Sequence, residues 1–291
     1  MKRFIVLALL LLSVDCFAAG VLGVANPAKV AGVTTPDKVS GVAGLATAAT
    51  DYTQDANCLG AWYMNLDAAV SETDRTSNGN DLAVSASDEI PRSATVPSGY
   101  SGYSRDFELG DADYLSIADG TELDINGADA QISIGCWIKV ETAPADTVAA
   151  YAITKHNPST NNRQYGLMLL GTGSNQFKIA FVLSADSTSG TTASDVLNST
   201  TTTLAEGTWY HIVGVYNDTD MRIYINGSLD CEPAAKTDGI FNGTAPFYIS
   251  FPVQLIDGLV DEPFVFNRAL SATEANNIYS DGISGDKGGS D

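Results

Sequence analysis

The sequence predicts an all-β protein, a two-sheet antiparallel sandwich with one short C-terminal helix. From Asp51 onward, about ten short segments are rich in β-branched and aromatic residues that partly alternate with polar ones. Asn-Gly pairs at Asn78, Asn126, Asn226 and Asn242 supply the positive φ angles that tight turns need. Because each such strand buries one face, the strands are expected to stack as two facing sheets.

Residues 1–18 have the features of a secretory signal peptide. Lys2 and Arg3 form a basic start, residues 4–12 are apolar, and Cys16 and Ala18 are small residues at the positions that signal peptidase reads. The apolar run is too short to span a bilayer comfortably. We expect a secreted, extracellular or cell-surface protein without a transmembrane segment. The alternative, lipidation of Cys16, is disfavoured by the neighbouring Asp15.

Residues 19–50 form an arm rich in Ala, Gly, Val, Thr and Pro, without aromatic residues. Gly-Val recurs every nine residues, at Gly23, Gly32 and Gly41. The favoured interpretation is an extended spacer, because Pro and Gly disfavour helix and the arm is too thin to build a core. The alternative is a set of short strands that pack on a partner or sister chain; in the case of a sister chain the protein would be a homo-oligomer.

The charge balance argues against a nucleic-acid-binding protein. The chain has 15 basic and 35 acidic residues and a formal net charge of -20, whereas binding a polyanion needs concentrated Lys and Arg. The two histidines leave little room for zinc or imidazole chemistry. We expect His211 to be a core residue and His156 to lie in an exposed loop.

Three cysteines remain once the signal peptide is removed. Cys136 shares a strand face with Ile132, Ile134 and Ile138 and is therefore interpreted as a small core residue. Cys58 and Cys231 are the expected disulfide pair in an oxidising compartment. No CxxC motif occurs, which disfavours structural zinc.

A single helix is predicted near the C-terminus, in the segment 271–280. Ser271 and Glu274 stand at the spacing of a capping box, and Gly282 follows as a stop signal. We assign the sandwich domain to residues 51–283 and a flexible tail to residues 284–291.

Four blocks of the sequence resemble one family. Segments 207–230 and 255–279 are similar to the closing half of a laminin-G-like, concanavalin A-type jelly roll, and segments 60–82 and 103–119 resemble its opening strands. The resemblance covers most of residues 57–281 and implies a jelly-roll sandwich. This architecture hosts lectins, carbohydrate-binding modules, glycosidases, adhesion domains and virion proteins, so its implication for function is broad.

Asp261 and Glu262 stand inside an otherwise apolar strand, where carboxylates are costly to bury unless they are paired or bind a cation. Members of this fold often hold structural calcium, which the resemblance extends to this chain. The expected metal ligands are Asp261 with Asp74 and Asn78 of a polar loop. Instead of a cation, the partners of these two carboxylates could be Arg105, Arg268, backbone amides or water.

The sequence lacks a catalytic motif. Laminarinase relatives of the fold use a Glu-x-Asp-x-x-Glu strand, but here Glu72 and Asp74 are followed by Ser77, and Glu122 and Asp124 by Gly127. GxSxG, HExxH and P-loop motifs are also missing from the sequence. We therefore expect a protein that is not an enzyme.

Binding is the expected function. Sugars are generally held by an exposed aromatic platform with nearby polar side chains, although ordinary packing is the alternative role for each tyrosine. The candidate ligand residues are Tyr100, Tyr103, Tyr151, Tyr165, Asn162 and Arg163. The sequence thus favours an exported, non-catalytic binding or adhesion module for glycans or other surface ligands. The alternative is a structural protein of an extracellular filament, coat or virion fibre in which residues 19–50 mediate assembly.

Overall fold

The computed structural model describes residues 49–67, 69–85, 89–157, 162–186 and 196–287. Within them, two antiparallel sheets pack face to face, so the predicted all-β sandwich is confirmed. The predicted signal peptide lies outside the described residues, as do residues 19–48 of the arm and 288–291 of the tail. Among the described residues, no helix combines the length and apolar character that crossing a bilayer requires.

The first sheet contains nine strands in the part of the chain that the structure describes. In spatial order its main path is β14 (Ser228–Leu229), β13 (Asp220–Ile225), β12 (Trp209–Tyr216), β6 (Ile132–Val140), β17 (Gly258–Phe266), β4 (Ser104–Phe107) and β3 (Arg92–Ser93). Two further strands extend it, β1 (Cys58–Ala61) beside β17 and β15 (Ala234–Ala235) beside β13.

The second sheet contains eight strands within the described ranges. Its path is β10 (Val196–Asn198), β9 (Gln176–Leu183), β8 (Asn162–Gly173), β7 (Ala149–Asn157), β16 (Phe247–Ile249), β5 (Leu115–Ile117) and β2 (Ala83–Val84), and β11 (Leu204–Ala205) pairs with β9. Short 3-10 turns occur at Tyr52–Gln54 and Thr121–Leu123.

The main core lies between the two sheets and follows the two-residue period of the strands. Ile134 and Cys136 of β6 face the core from one sheet, and Leu167 of β8 faces it from the other. Trp62 stacks on Phe247 across the sandwich, with ring centroids 5.6 Å apart. Both rings are fully buried, so this pair fills the space between the sheets with close-packed apolar atoms.

A second apolar layer covers the outer face of the nine-stranded sheet. Helix α1 (Ala272–Asp281) buries Ala275 and Ile278 against Val213 of β12 and Phe264 of β17. Strand β17 is therefore covered on both faces, and all nine of its residues are buried. This explains why its sequence is almost continuously apolar rather than alternating.

Strand β17 contains a β-bulge at the acidic pair. Asp261 stands opposite Trp137 of β6, but the next paired residue, Phe264, stands opposite Gly135, so β17 has an extra residue between these pairs. Glu262 takes up the irregularity with a φ of 43°, in the left-handed region. Both Asp261 and Glu262 are buried at this bulge.

The three cysteines of the described chain are free and buried. Cys58 packs in the outer layer under helix α1, whereas Cys231 belongs to the core between the sheets. The predicted Cys58–Cys231 disulfide is thus absent from the structure, because the two side chains serve different apolar layers. Cys136 is a core residue, as predicted, and burial raises the pKa of all three thiols.

The predicted helix and its capping box are confirmed. The Ser271 side chain accepts from the Glu274 backbone N–H at 3.2 Å, and the Glu274 carboxylate accepts from the Ser271 N–H at 2.8 Å. Beyond Gly282 the chain turns back to the end of the helix, where the Lys287 N–H donates to the Asp281 carbonyl at 3.0 Å. Backbone hydrogen bonds therefore connect residues 284–287 to the end of helix α1, and the flexible tail of residues 284–291 stays a prediction.

We predict that Ser271→Ala lowers the free energy of unfolding by about 1 kcal/mol, because it leaves a helix N-terminal N–H without its partner. Urea unfolding followed by far-ultraviolet circular dichroism measures the change. Thr273→Ala, an exposed hydroxyl in the same helix, is the matched control and should change stability by less. Equal effects of the two variants would contradict the capping role.

Candidate functional site

One pocket of the described structure combines several aromatic side chains with polar groups. This aromatic pocket has a volume of about 390 Å³ and lies where the nine-stranded sheet, helix α1 and the loop before β4 meet. It is lined by Ser98, Tyr100, Trp137, Trp209, Asn226, Tyr279, Ser280 and Lys287. Its size falls within the usual range of small-ligand sites.

Strand alternation turns both tryptophans away from the core. In β6, Cys136 and Ile138 point between the sheets, so Trp137 projects from the outer face. In β12, Ile212 points inward and His211 outward, which places Trp209 on the outer side as well. Tyr279 then approaches from helix α1, which packs on the same face. The pocket is therefore a consequence of the helix covering only part of this sheet face.

The hairpin between β13 and β14 forms another wall. Asn226 and Gly227 both have positive φ, at 49° and 74°, as the Asn-Gly pair predicts. The His211 N–H donates to Asn226 Oδ1 at 2.9 Å, which fixes the amide at the pocket edge. A Cβ on Gly227 would lie 2.9 Å from the Tyr279 ring, so only glycine lets the helix come this close.

Trp137 is the centre of the aromatic arrangement. Its ring lies 5.4 Å from the ring of Tyr100 and 5.4 Å from that of Tyr279, measured between centroids. The Trp137 Nε1–H donates to Tyr100 Oη at 2.9 Å, which fixes both rings. The Lys287 ammonium stands 5.8 Å from the Tyr100 centroid. The pocket surface is therefore preorganised, which lowers the entropic cost of binding.

Two buried ionisable groups flank Trp137 beneath the pocket. His211 stands beside it on β12 and Asp261 on β17, and each is only 1% exposed. Burial lowers the pKa of His211 to about 3, so its imidazole is neutral at ordinary pH. Burial first, and then the nearby Glu262 carboxylate, raise the pKa of Asp261 well above its usual range. Within the part of the chain that the structure describes, neither Asp261 Oδ2 nor His211 Nδ1 has a hydrogen-bond partner.

The arginines proposed as partners of the acidic pair are engaged elsewhere. Arg105 contacts Glu72 at 2.5 Å, and Arg268 pairs with Asp55 and Glu274 at 2.6 and 2.7 Å. The backbone supplies the contacts instead. The Glu262 N–H donates to Asp261 Oδ1 at 2.9 Å, and the Ile283 N–H donates to Glu262 Oε2 at 3.1 Å. Of the alternatives, the structure therefore shows the backbone amides.

The predicted ligand residues do not converge on one site. Tyr100 lines the aromatic pocket, whereas Tyr103 packs under the Arg92 guanidinium, 4.2 Å from its ring centroid, and is 36% exposed. Tyr165 is fully buried in the core, and its hydroxyl donates to the Leu123 carbonyl at 3.0 Å. Because Tyr165 points between the sheets, it has no surface to offer a ligand.

The remaining candidates belong to the eight-stranded sheet. Tyr151 is buried and stacks on His156, with centroids 5.5 Å apart. His156 itself is only 2% exposed and lies in β7, so the expected exposed loop position is wrong. Asn162 is engaged with Thr244 through both amide atoms at 2.8 Å. Arg163 follows it on β8, apart from the residues lining the aromatic pocket.

The predicted calcium ligands are held by protein hydrogen bonds. The Asp74 carboxylate accepts from the N–H groups of Ala61, Thr76 and Asn80, and from the Thr76 hydroxyl, at 2.8 to 3.2 Å. Asn78 Nδ2 donates to the Cys58 carbonyl at 2.9 Å. These contacts give Asp74 and Asn78 a structural role in their loop. Calcium at Asp261, Asp74 and Asn78 stays a prediction.

Sequence reasoning missed most of the pocket. Trp137, Trp209 and Tyr279 were assigned no binding role, although the inward Ile-Ile-Cys-Ile period of β6 implies that Trp137 faces out. A large aromatic residue on an outer sheet face is the signal that could have found it. Tyr279 carried no comparable signal, because its position depends on how helix α1 docks.

A model of the concanavalin A-like lectin/glucanases superfamily matches residues 109–276, more than half of the chain. Comparison with curated proteins gives no match. Among solved structures, the binding domain of Paraclostridial Mosquitocidal Protein 1 is 12% identical with a TM-score of 0.56, over 77% of this chain and 52% of that chain. The binding domain of botulinum neurotoxin serotype G is 13% identical with a TM-score of 0.55, over 77% and 51%.

A third similar structure is domain 4 of AbnA, an extracellular arabinanase from Geobacillus stearothermophilus, in complex with arabinotriose. It is 17% identical with a TM-score of 0.53, and the match covers 77% of this chain and 98% of that one. The chain spans about half the length of the first two structures and nearly all of the third. At identities of 12% to 17%, the similarity to these structures shows that the chain shares their fold.

We predict that Asp261→Asn raises the free energy of unfolding at neutral pH. The folded state holds the Asp261 proton more tightly than the unfolded state, so the wild-type protein loses stability as pH rises above about 4. The Asp261→Asn variant lacks this loss of stability. The free energies of unfolding of the two proteins should therefore converge at lower pH.

Urea unfolding of both proteins across this pH range is the measurement. Asp111→Asn, at an exposed position, is the matched control and should show no such convergence. An Asp261→Asn protein that is less stable than wild type at neutral pH would show that the ionised carboxylate is stabilised in the fold.

Proposed function

The chain belongs to the concanavalin A-like lectin/glucanases superfamily, and from that membership we propose that it is an exported, non-catalytic module that binds glycans in the aromatic pocket. The observation that carries the proposal is the convergence of four aromatic side chains in one open pocket with an amide and two serine hydroxyls at its edge. Fold alone would not suffice, because the superfamily includes enzymes as well as binding proteins.

The chemistry of the pocket suits a sugar. The C–H face of a pyranose or furanose ring is apolar and packs on indole or phenol rings, while its hydroxyls need donors and acceptors at the rim. Trp209 and Tyr279 are partly exposed and can supply such a face. Asn226, Ser98 and Ser280 stand at the edge and can meet hydroxyls.

A non-catalytic role fits the same lining. Glycoside hydrolysis generally needs two carboxyl groups that flank the scissile bond. None of the residues lining the pocket in the described structure is an aspartate, glutamate or histidine. Asp261 and Glu262 lie beneath it, but both are buried and bonded to backbone amides. Asp261 and Glu262 therefore lie under the residues at the bottom of the pocket and do not reach a substrate.

The structural neighbours agree with a carbohydrate ligand class. Domain 4 of AbnA was solved with arabinotriose, and cell entry of botulinum neurotoxin type C depends on interaction with two ganglioside molecules. We take from them only the ligand class, a glycan.

Export is part of the proposal and rests on the signal-like residues 1–18. A secreted or surface-displayed position suits a protein that meets glycans outside the cell. The assembly alternative rests on the repeats of residues 19–50, most of which lie outside the described residues, so it stays a prediction. Nucleic acid is not part of the proposed ligand class, because the net charge is -20.

We predict that the full chain binds at least one glycan class on a glycan array, and that Trp209→Ala or Tyr279→Ala weakens that binding at least about tenfold, because each removes an aromatic face. Isothermal titration calorimetry with the best glycan measures the loss. Tyr103→Ala is the matched control, because this tyrosine is exposed outside the pocket. Unchanged affinity of both pocket variants would contradict the site, and an array without any binding would contradict the function.

A further inference from the structure

A second surface, which we name the apolar groove, has a different character. It has a volume of about 490 Å³ and lies between the loops that follow β4, β6 and β16. Its buried residues include Val140, Leu169 and Ile256. Its lining contains two prolines, several alanines and branched aliphatic side chains, but no aromatic residue. A sugar face would find no ring to pack on here, so this surface is distinct from the aromatic pocket.

The rim of the groove is unusually exposed. Leu109, Val148 and Val253 are 51%, 50% and 67% exposed, and all three line the groove. They are half of the six large apolar side chains that are exposed within the described residues. Single exposed apolar residues are ordinary, but three around one concave surface indicate an interaction site.

Carboxylates lie along one side of the groove. Asp257 lines it, and the Leu109 N–H reaches Asp257 Oδ1 at 3.4 Å. Asp106, Glu108 and Glu141 have carboxylate oxygens within 4.8 Å of one another. Burial and then the neighbouring carboxylates raise the pKa of Asp106 and of Glu108. Among the described residues that line the groove, none is basic. Lys139 of β6 lies near Asp106, but the carboxylates outnumber it, so the electrostatic potential on this side of the groove is negative.

We propose that the apolar groove binds an extended peptide segment of a partner protein in which a branched apolar side chain is flanked by Lys or Arg. The apolar side chain enters between Leu109, Val148 and Val253, and the cationic side chains lie against the carboxylates. Charge complementarity selects this occupant. A second copy of the chain, with its net charge of -20, and an anionic lipid surface would both be repelled.

The experiment uses the full chain and three fluorescein-labelled peptides. The first has the sequence Gly-Lys-Val-Lys-Val-Lys-Gly, the second replaces Lys by Glu, and the third replaces Val by Ser. Fluorescence anisotropy is recorded at low and high ionic strength. Only the first peptide should bind well, and its affinity should fall with salt because the ion pairs are exposed. Equal binding of the Glu peptide, or no binding of the first, would overturn the proposal.

Variants locate the site. Val253→Ser should weaken binding of the first peptide roughly tenfold, and Glu108→Gln combined with Glu141→Gln should weaken it and flatten its salt dependence. Leu229→Ser, 48% exposed on β14, and Glu232→Gln, also exposed, are matched controls that should leave it unchanged. If the double variant removes calcium binding measured by calorimetry but leaves peptide affinity intact, the carboxylates are a metal site and the proposal fails.

Discussion

Strand β17 is covered on one face by the opposite sheet and on the other by helix α1, and this double burial organises the rest of the domain. The double burial requires an almost wholly apolar sequence. Strand β17 also pairs with β6, β4 and β1 and forms part of the surface on which helix α1 docks. The bulge at Asp261 and Glu262 departs from this pattern. Two carboxylates there carry a desolvation cost, which hydrogen bonds from backbone amides reduce for both and a raised pKa reduces for Asp261.

The two proposed surfaces follow from where this double layer ends. Helix α1 covers Val213 and Phe264 but leaves the neighbouring Trp137 at the bottom of an open pocket, so one surface is aromatic. The loops away from the helix bring aliphatic and acidic residues together instead, so the other is aliphatic and negative. The net charge of the chain therefore does not set one kind of partner for both surfaces, because each surface selects its ligand by its own local chemistry.

Much of the fold could be predicted from sequence, because it depends on local rules. Alternation in β6 and β12, the Asn226-Gly227 turn and the Ser271–Glu274 capping box are each encoded within a few residues. The sites could be predicted far less well. Of the predicted ligand residues, Tyr100 lines the aromatic pocket, whereas Tyr165 is buried because its strand turns it inward. The Cys58–Cys231 pairing failed because which apolar layer a cysteine joins is decided by tertiary packing.

The most direct test of the aromatic pocket uses the three tryptophans of the chain as reporters. Fluorotryptophan labelling gives each a fluorine resonance, assigned by single Trp→Phe variants, and the spectrum is recorded while the best array glycan is added. Trp137 and Trp209 line the pocket, whereas Trp62 is buried against Phe247. We expect the first two resonances to shift on binding and that of Trp62 to stay. A glycan that binds by calorimetry without moving the Trp137 and Trp209 resonances would contradict the account.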